Sequence, residues 1–191
     1  LNNLIHKVDT LVVGGGMANT FLLAQGFYIG ASLAEHALKD SALNILNSAE
    51  KAGCRILLPT DVVVAKELNV NVESFVVPVN ECPEDTMILD VGPQTVERIK
   101  ESLLNTETLV WNGPLGAFEI KPFDRATNDL ANFVSKLSNN NKLVSIAGGG
   151  DTLAALKNAE ASNGFSYLST AGGAFLEWME GKKLPGITAL Q

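Results

Sequence analysis

Short apolar runs alternate with longer amphipathic stretches along this chain. "DTLVVGG" (9–15) reads as a short buried strand ending in glycine. Residues 31–53 place apolar side chains at helical spacing and stop at Gly53. Residues 54–66 read as strand, turn, then strand or short helix, and 72–79 as a further strand. A strand at 86–92 leads into a helix at 93–105, with Pro93 in its first turn. The pattern then predicts a strand at 107–113, a helix at 124–140, a strand at 142–148 and a helix at 151–161. A short strand at 165–170 and a helix at 172–183 follow. Apolar strands alternating with helices imply an α/β fold of three layers, α/β/α: a doubly wound, mainly parallel sheet of about six strands, Rossmann-like. No repeat, low-complexity tract or linker divides the chain, so a single domain over 1–191 is expected.

Composition narrows the function classes. The chain has 191 residues, 46% hydrophobic and 18% charged, enough apolar material for one substantial core. Its net charge of −7 and pI near 4.8 argue against nucleic-acid binding, which needs a basic footprint. Cys54 and Cys82 form no CxxC, and His6 and His36 add no zinc spacing, so buried free thiols in a reducing compartment are expected. No apolar run reaches about 18 residues, so no membrane partner and a cytoplasmic location are expected. The chain opens at Leu1 rather than Met, which suggests a fragment.

The glycines are more informative. Gly14, Gly15 and Gly16 follow the first strand. Asn112, Gly113, Pro114 and Gly116 follow "TLVW", Gly148, Gly149 and Gly150 follow "LVSIA", and Gly172 and Gly173 follow "YLSTA". In open α/β sheets ligands bind beyond the carboxyl ends of the strands. Any one such cluster is ordinary turn chemistry, but four on one edge suit a polyanion. Glycine lets main-chain N–H groups approach it, and a helix N-terminus adds free donors and partial positive charge. Asp151 has two readings here: an N-cap of the following helix, or a Mg²⁺ ligand beside a phosphate.

The familiar motifs are absent. There is no Walker A loop, and "GGGMAN" has Asn19 where the dinucleotide fingerprint needs a third glycine. There is no G-x-S-x-G and no H-E-x-x-H.

Six stretches, "LVVGGGMANTFLLAQG" (11–26), "LPTDVVVA" (58–65), "LDVGPQT" (89–95), "LVWNGPLGAFE" (109–119), "SIAGGGDTLAAL" (145–156) and "STAGGAFLEWMEGKKLPGITAL" (169–190), resemble the phosphoglycerate kinase family, in order over essentially the whole chain. The resemblance is to the C-terminal half, which in that family binds ADP or ATP with Mg²⁺. The N-terminal half, which holds 3-phosphoglycerate, has no counterpart here. The resemblance implies that Gly15 and Gly16 lie beside the adenine, with Leu89 as an apolar wall. Asn112 reaches the ribose–phosphate region, and Pro114, Gly116 and Ala117 shape the cleft. Glu119 accepts from the ribose hydroxyls, although without the resemblance it reads rather as a solvated surface acid. Gly148, Gly149, Gly150 and Thr152 cradle the phosphates, and Asp151 binds the Mg²⁺. Gly149, Gly150, Gly172 and Gly173 carry the catalytic role, facing the transferring phosphoryl group from two helix starts. Ala171 stands where many relatives have another glycine.

The implied reaction is reversible phosphoryl transfer between 1,3-bisphosphoglycerate and ADP, giving 3-phosphoglycerate and ATP. It is carried by positioning and electrostatics rather than by a nucleophilic side chain. A monomer is implied, and weak nucleotide binding with little turnover is expected of the chain alone. A stand-alone regulatory nucleotide-binding module is the main alternative, and a nicotinamide-dependent domain the more distant one.

Overall fold

In the computed structural model, residues 1–169 are described. Strands β1 (Thr10–Val12) and β2 (Arg55–Leu57) form a parallel pair. Strands β3 (Asp61–Ala65), β4 (Ser74–Pro78) and β5 (Met87–Val91) form a second ladder in the order β4-β3-β5. Strands β6 (Thr108–Asn112), β7 (Val144–Gly148) and β8 (Tyr167–Ser169) form a third, parallel one. Register sets Asn112 opposite Gly148 and Gly148 opposite Ser169, so the carboxyl ends of β6, β7 and β8 are level.

Five helices stand among the described residues: α1 (Gly15–Ala24), α2 (Lys39–Ala52), α3 (Pro93–Leu103), α4 (Arg125–Asn139) and α5 (Gly150–Asn158). The α/β, three-layer, Rossmann-like class follows as expected. The parallel expectation holds for β1, β2, β6, β7 and β8. Strand β3 runs antiparallel to both β4 and β5: residues 66–73, too short for a crossover helix, fold back from β3 into β4, and 79–86 then carry the chain past β3 to β5 on its other side. The helix expected at 172–183 and the site glycines Gly172 and Gly173 lie outside the described residues.

The core follows from the helical periodicity. Ala126, Leu130, Ala131, Val134 and Leu137 form the buried stripe of α4, and Val96, Ile99 and Leu103 that of α3. Both pack with Ala147 on β7 and Leu156 on α5. Truncating one such fully buried leucine costs roughly 2–5 kcal/mol. Cys54 and Cys82 are buried and free, and burial pushes both thiols up. No helix among the described residues is long and apolar enough to cross a membrane.

Two local departures from the pattern matter for the site. Helix α1 had no periodic signal. Ala18, Phe21 and Leu22 on it are buried, and so are Asn19 and Thr20, so no polar face marks it. Residues 31–35, expected as the start of a helix, form neither helix nor strand. Ala31 N–H donates to Thr86 O at 2.8 Å, and the Ser32 hydroxyl accepts from Ile88 N–H at 2.8 Å. Pairing with the start of β5 outcompetes helix here, and α2 begins only after a 3-10 turn at His36–Leu38.

Candidate functional site

Three of the four glycine junctions meet at one rim. Gly15 N–H, after β1, donates to Leu115 O, after β6, at 3.1 Å. Gly113 N–H, after β6, donates to Thr152 Oγ1, in the first turn of α5, at 2.7 Å. A Cβ at Gly149 would stand 2.7 Å from Asn112 Oδ1, so the junctions after β6 and β7 touch there as well. Gly149 has φ +99°, a conformation L side chains rarely adopt, which with that contact makes glycine the residue of choice. Trp111 Nε1–H donates to Gly113 O at 2.7 Å and fixes the same turn from below.

What fills each helix N-terminus distinguishes the rim from the rest of the fold. Helix α3 begins under a buried acid from another strand. Asp61 Oδ2 accepts Gln94 N–H at 2.9 Å, and Oδ1 accepts both Thr95 N–H and Thr95 Oγ1–H at 2.7 Å. Helix α4 is treated likewise, with Asp90 Oδ2 accepting Ala126 N–H at 3.0 Å. Helices α1 and α5 start at Gly14 and Gly149, which supply no side-chain cap. Their first intrahelical donors are Ala18 N–H and Leu153 N–H, so the N–H groups of 150–152 have no intrahelical acceptor. Gly15 N–H of α1 is spent on Leu115 O, and no side chain among the described residues fills either helix end, which leaves the α5 end above all suited to anionic oxygens.

Gly15, Gly16, Asn112, Pro114, Gly116, Ala117 and residues 148–152 come together on this rim. Thr152 is buried with its hydroxyl committed to Gly113, while Asn112, Gly150 and Asp151 are exposed. Leu89 is half-buried, and its carbonyl accepts Ala117 N–H at 2.8 Å. Glu119 is exposed, just past the turn that Phe118 N–H makes to Gly116 O at 2.8 Å. Asp151 is not the N-cap of α5: that position is Gly149, and Asp151 sits in the first turn. Its carboxylate has no protein partner among the described residues.

Three contributors were not legible from residue pattern. Leu33 is 81% exposed yet stands beside Gly16, where a Cβ would meet Leu33 Cδ2 at 3.4 Å. Asn19 Nδ2 holds it there by donating to Leu33 O at 3.1 Å. A groove of about 550 Å³ touches this corner, lined by Gly16, Met17, Thr20 and Leu33 among others. Asp61 and Asp90 are the other two. A lone acid in an otherwise apolar strand was their available signal, since such a group must find partners when buried. A larger groove, about 750 Å³, lies between β4, α3 and the start of α4. It includes none of the junction glycines, and its charges are mixed.

The fold and the rim together define a three-layer α/β domain of the Rossmann-like kind, with its glycine junctions gathered at one edge. The phosphoglycerate kinase family model matches residues 1–182, and the chain belongs to that family. It is 58% identical over its full length to phosphoglycerate kinase of Chelativorans sp. (strain BNC1) and 58% identical to that of Zymomonas mobilis, covering 48% of each. The structure of phosphoglycerate kinase from Coxiella burnetii superposes on 99% of the chain with a TM-score of 0.92 at 46% identity. That from Pyrococcus horikoshii gives 0.75 at 26% identity. The chain spans about half the length of these relatives.

Proposed function

We propose that this chain is the nucleotide-binding, C-terminal half of a phosphoglycerate kinase. The whole protein then transfers a phosphoryl group reversibly between 1,3-bisphosphoglycerate and ADP, with the acid substrate held by a half this chain does not include. The observation that carries the reading is the meeting of the junctions after β1, β6 and β7 around the N-terminus of α5, which no side chain among the described residues caps.

On this reading the exposed face of Leu33 and the half-buried Leu89 bracket the purine beside Gly15 and Gly16. Asn112, Pro114, Gly116 and Ala117 form the cleft wall, and the Glu119 carboxylate, acceptor-only, takes the ribose hydroxyls. The main-chain donors at Gly148, Gly149, Gly150 and Thr152 receive the phosphates, and Gly149, Gly150, Gly172 and Gly173 face the group in transfer. They hold it in line and stabilise charge on its equatorial oxygens without a nucleophilic side chain. The donor set fits Mg²⁺ that arrives on a nucleotide. One exposed, unengaged carboxylate, Asp151, is available, and no cluster of three metal-binding side chains exists among the described residues. When bound with the nucleotide, the ion would be held by Asp151 and would offset phosphate charge. The chain works in the cytoplasm and as a monomer.

Calorimetry of the isolated chain with Mg-ADP, run beside a coupled turnover assay, tests this. Weak binding with little or no turnover is expected. No binding at millimolar nucleotide overturns the site, and normal turnover overturns the division of labour between halves.

A further inference from the structure

A buried carboxylate stands directly beneath the loop that follows β6. Asp90, near the end of β5, is 2% exposed. Its Oδ1 accepts Val91 N–H at 2.9 Å and its Oδ2 accepts Ala126 N–H, in the first turn of α4, at 3.0 Å. Gly116 presses so closely on it that any Cβ there would collide with the carboxylate and stand 2.7 Å from Leu89 O. The same loop is tied to α4 by Leu115 N–H, which donates to Thr127 Oγ1 at 3.0 Å. Asp90 thus stands where β5, the loop 113–119 and the start of α4 meet, beside the Leu115–Thr127 and Ala117–Leu89 hydrogen bonds that also link them.

We propose that Asp90 is a positioning residue for the nucleotide rim, its carboxylate fixing the start of α4 and the seat of Gly116, and through them the cleft wall from Pro114 to Glu119. The proposal rests on the nucleotide reading above. Chemistry makes the seat depend on charge. The ionised group is acceptor-only and satisfies both N–H donors, whereas the protonated acid turns an O–H toward one of them. Burial pushes the Asp90 carboxyl up to about 7, the hydrogen bonds from Ala126 and Val91 pull it down, and the charge of Asp124 raises it. Among the other charged residues on the packed elements, Asp61 of β3 is committed to α3, Asp129 of α4 is exposed and paired with Lys100, Glu119, Lys121, Arg125 and Lys136 are exposed, and α1 carries none. The switch between seats thus falls near neutral pH, and nucleotide binds the ionised seat better.

A ¹³C NMR titration of the Asp90 carboxyl in the intact protein, free and saturated with Mg-ADP, decides the matter. Nucleotide is expected to lower its midpoint by about half a pH unit, equivalent to about a threefold gain in affinity as pH rises through 7. Calorimetry from pH 6 to 8 should show that gain in the wild type relative to Asp90→Asn, which cannot ionise there. An unchanged midpoint overturns the proposal. So does an upward one, which the negative charge of the nucleotide alone would produce. The wild-type titration requires no variant to fold. Binding with an uncoupled Asp90 removes only this proposal, whereas absence of Mg-ADP binding removes the nucleotide reading as well.

Discussion

Gly113 N–H donates to the hydroxyl of Thr152 at 2.7 Å, across 39 residues of chain. The bond joins the turn after β6 to the first turn of α5, and it consumes the one buried side-chain hydroxyl at that helix start. The Thr152 hydroxyl thereby braces two walls of the rim. The resemblance assigned Thr152 to the phosphate cradle, and on the proposed reading it takes part there through its main-chain N–H.

Removing the brace should be felt in both stability and binding. Thr152→Val keeps the shape but leaves Gly113 N–H without its acceptor, at a cost of about 1–3 kcal/mol. Mg-ADP affinity should fall about tenfold as the two walls lose register. Thr152→Ser, which keeps the hydroxyl, should stay near wild type on both counts. Denaturant unfolding and calorimetry measure the two, and a wild-type Thr152→Val would show that the bond contributes nothing.

Gly149→Ala meets two separate obstacles. The backbone at φ +99° is strained for alanine, at about 1–3 kcal/mol. The new Cβ also meets Asn112 Oδ1. Adding Asn112→Gly should recover only the second part. Full recovery of stability in the double variant would mean that the backbone conformation is not what excludes side chains here.

Much of this architecture was legible because its elements carry a clean period. Helices α3 and α4 each bury one apolar stripe, and their observed limits fall within one or two residues of the pattern. Helix α1 escaped because its buried face includes Asn19 and Thr20, whose hydrogen bonds are spent on segment 33–35. Residues 31–35 were misjudged because the backbone of β5, more than 50 residues away, offers them better partners than a helix would. The glycine junctions could be found as a set, since four of them follow strands. What sequence could not supply was the contrast between filled and unfilled helix ends. Asp61 meets Thr95 and Asp90 meets Ala126 only through the fold, and local spacing carries no trace of either pair. For the same reason Asp151 could be read as a cap, when Gly149 holds that position.

That contrast gives a paired prediction. Asp61→Ala strips the acceptors from the first turn of α3 and should destabilise the fold by about 2–4 kcal/mol. Mg-ADP affinity, corrected for the folded fraction, should be unaffected. Asp151→Asn should do the reverse. Stability should hold within about 0.5 kcal/mol, because the exposed carboxylate bonds to no protein group among the described residues. Mg-ADP binding should weaken while ADP without Mg²⁺ binds as before. Equal losses with and without the metal would mean that Asp151 does not engage it.

Asp90 makes a prediction about stability that runs opposite to the usual behaviour of a hydrogen-bonded acid. Its folded pKa is raised to about 7, chiefly by burial, against about 3.9 in an unfolded chain. Between those values the folded state keeps a proton that the unfolded state has lost, so unfolding releases it and stability declines as pH rises from about 4 to about 7. Above 7 both states are ionised and the contribution levels off. A shift of about three units corresponds to a few kcal/mol across the window. Other carboxylates titrate in the same range, so the informative quantity is the difference between wild type and Asp90→Asn in urea unfolding at successive pH values. That difference should drift in favour of the variant from pH 4 to 7 and then hold constant. A flat difference would place the ordinary carboxylate pKa on Asp90 and mean that its two N–H partners fully offset its burial.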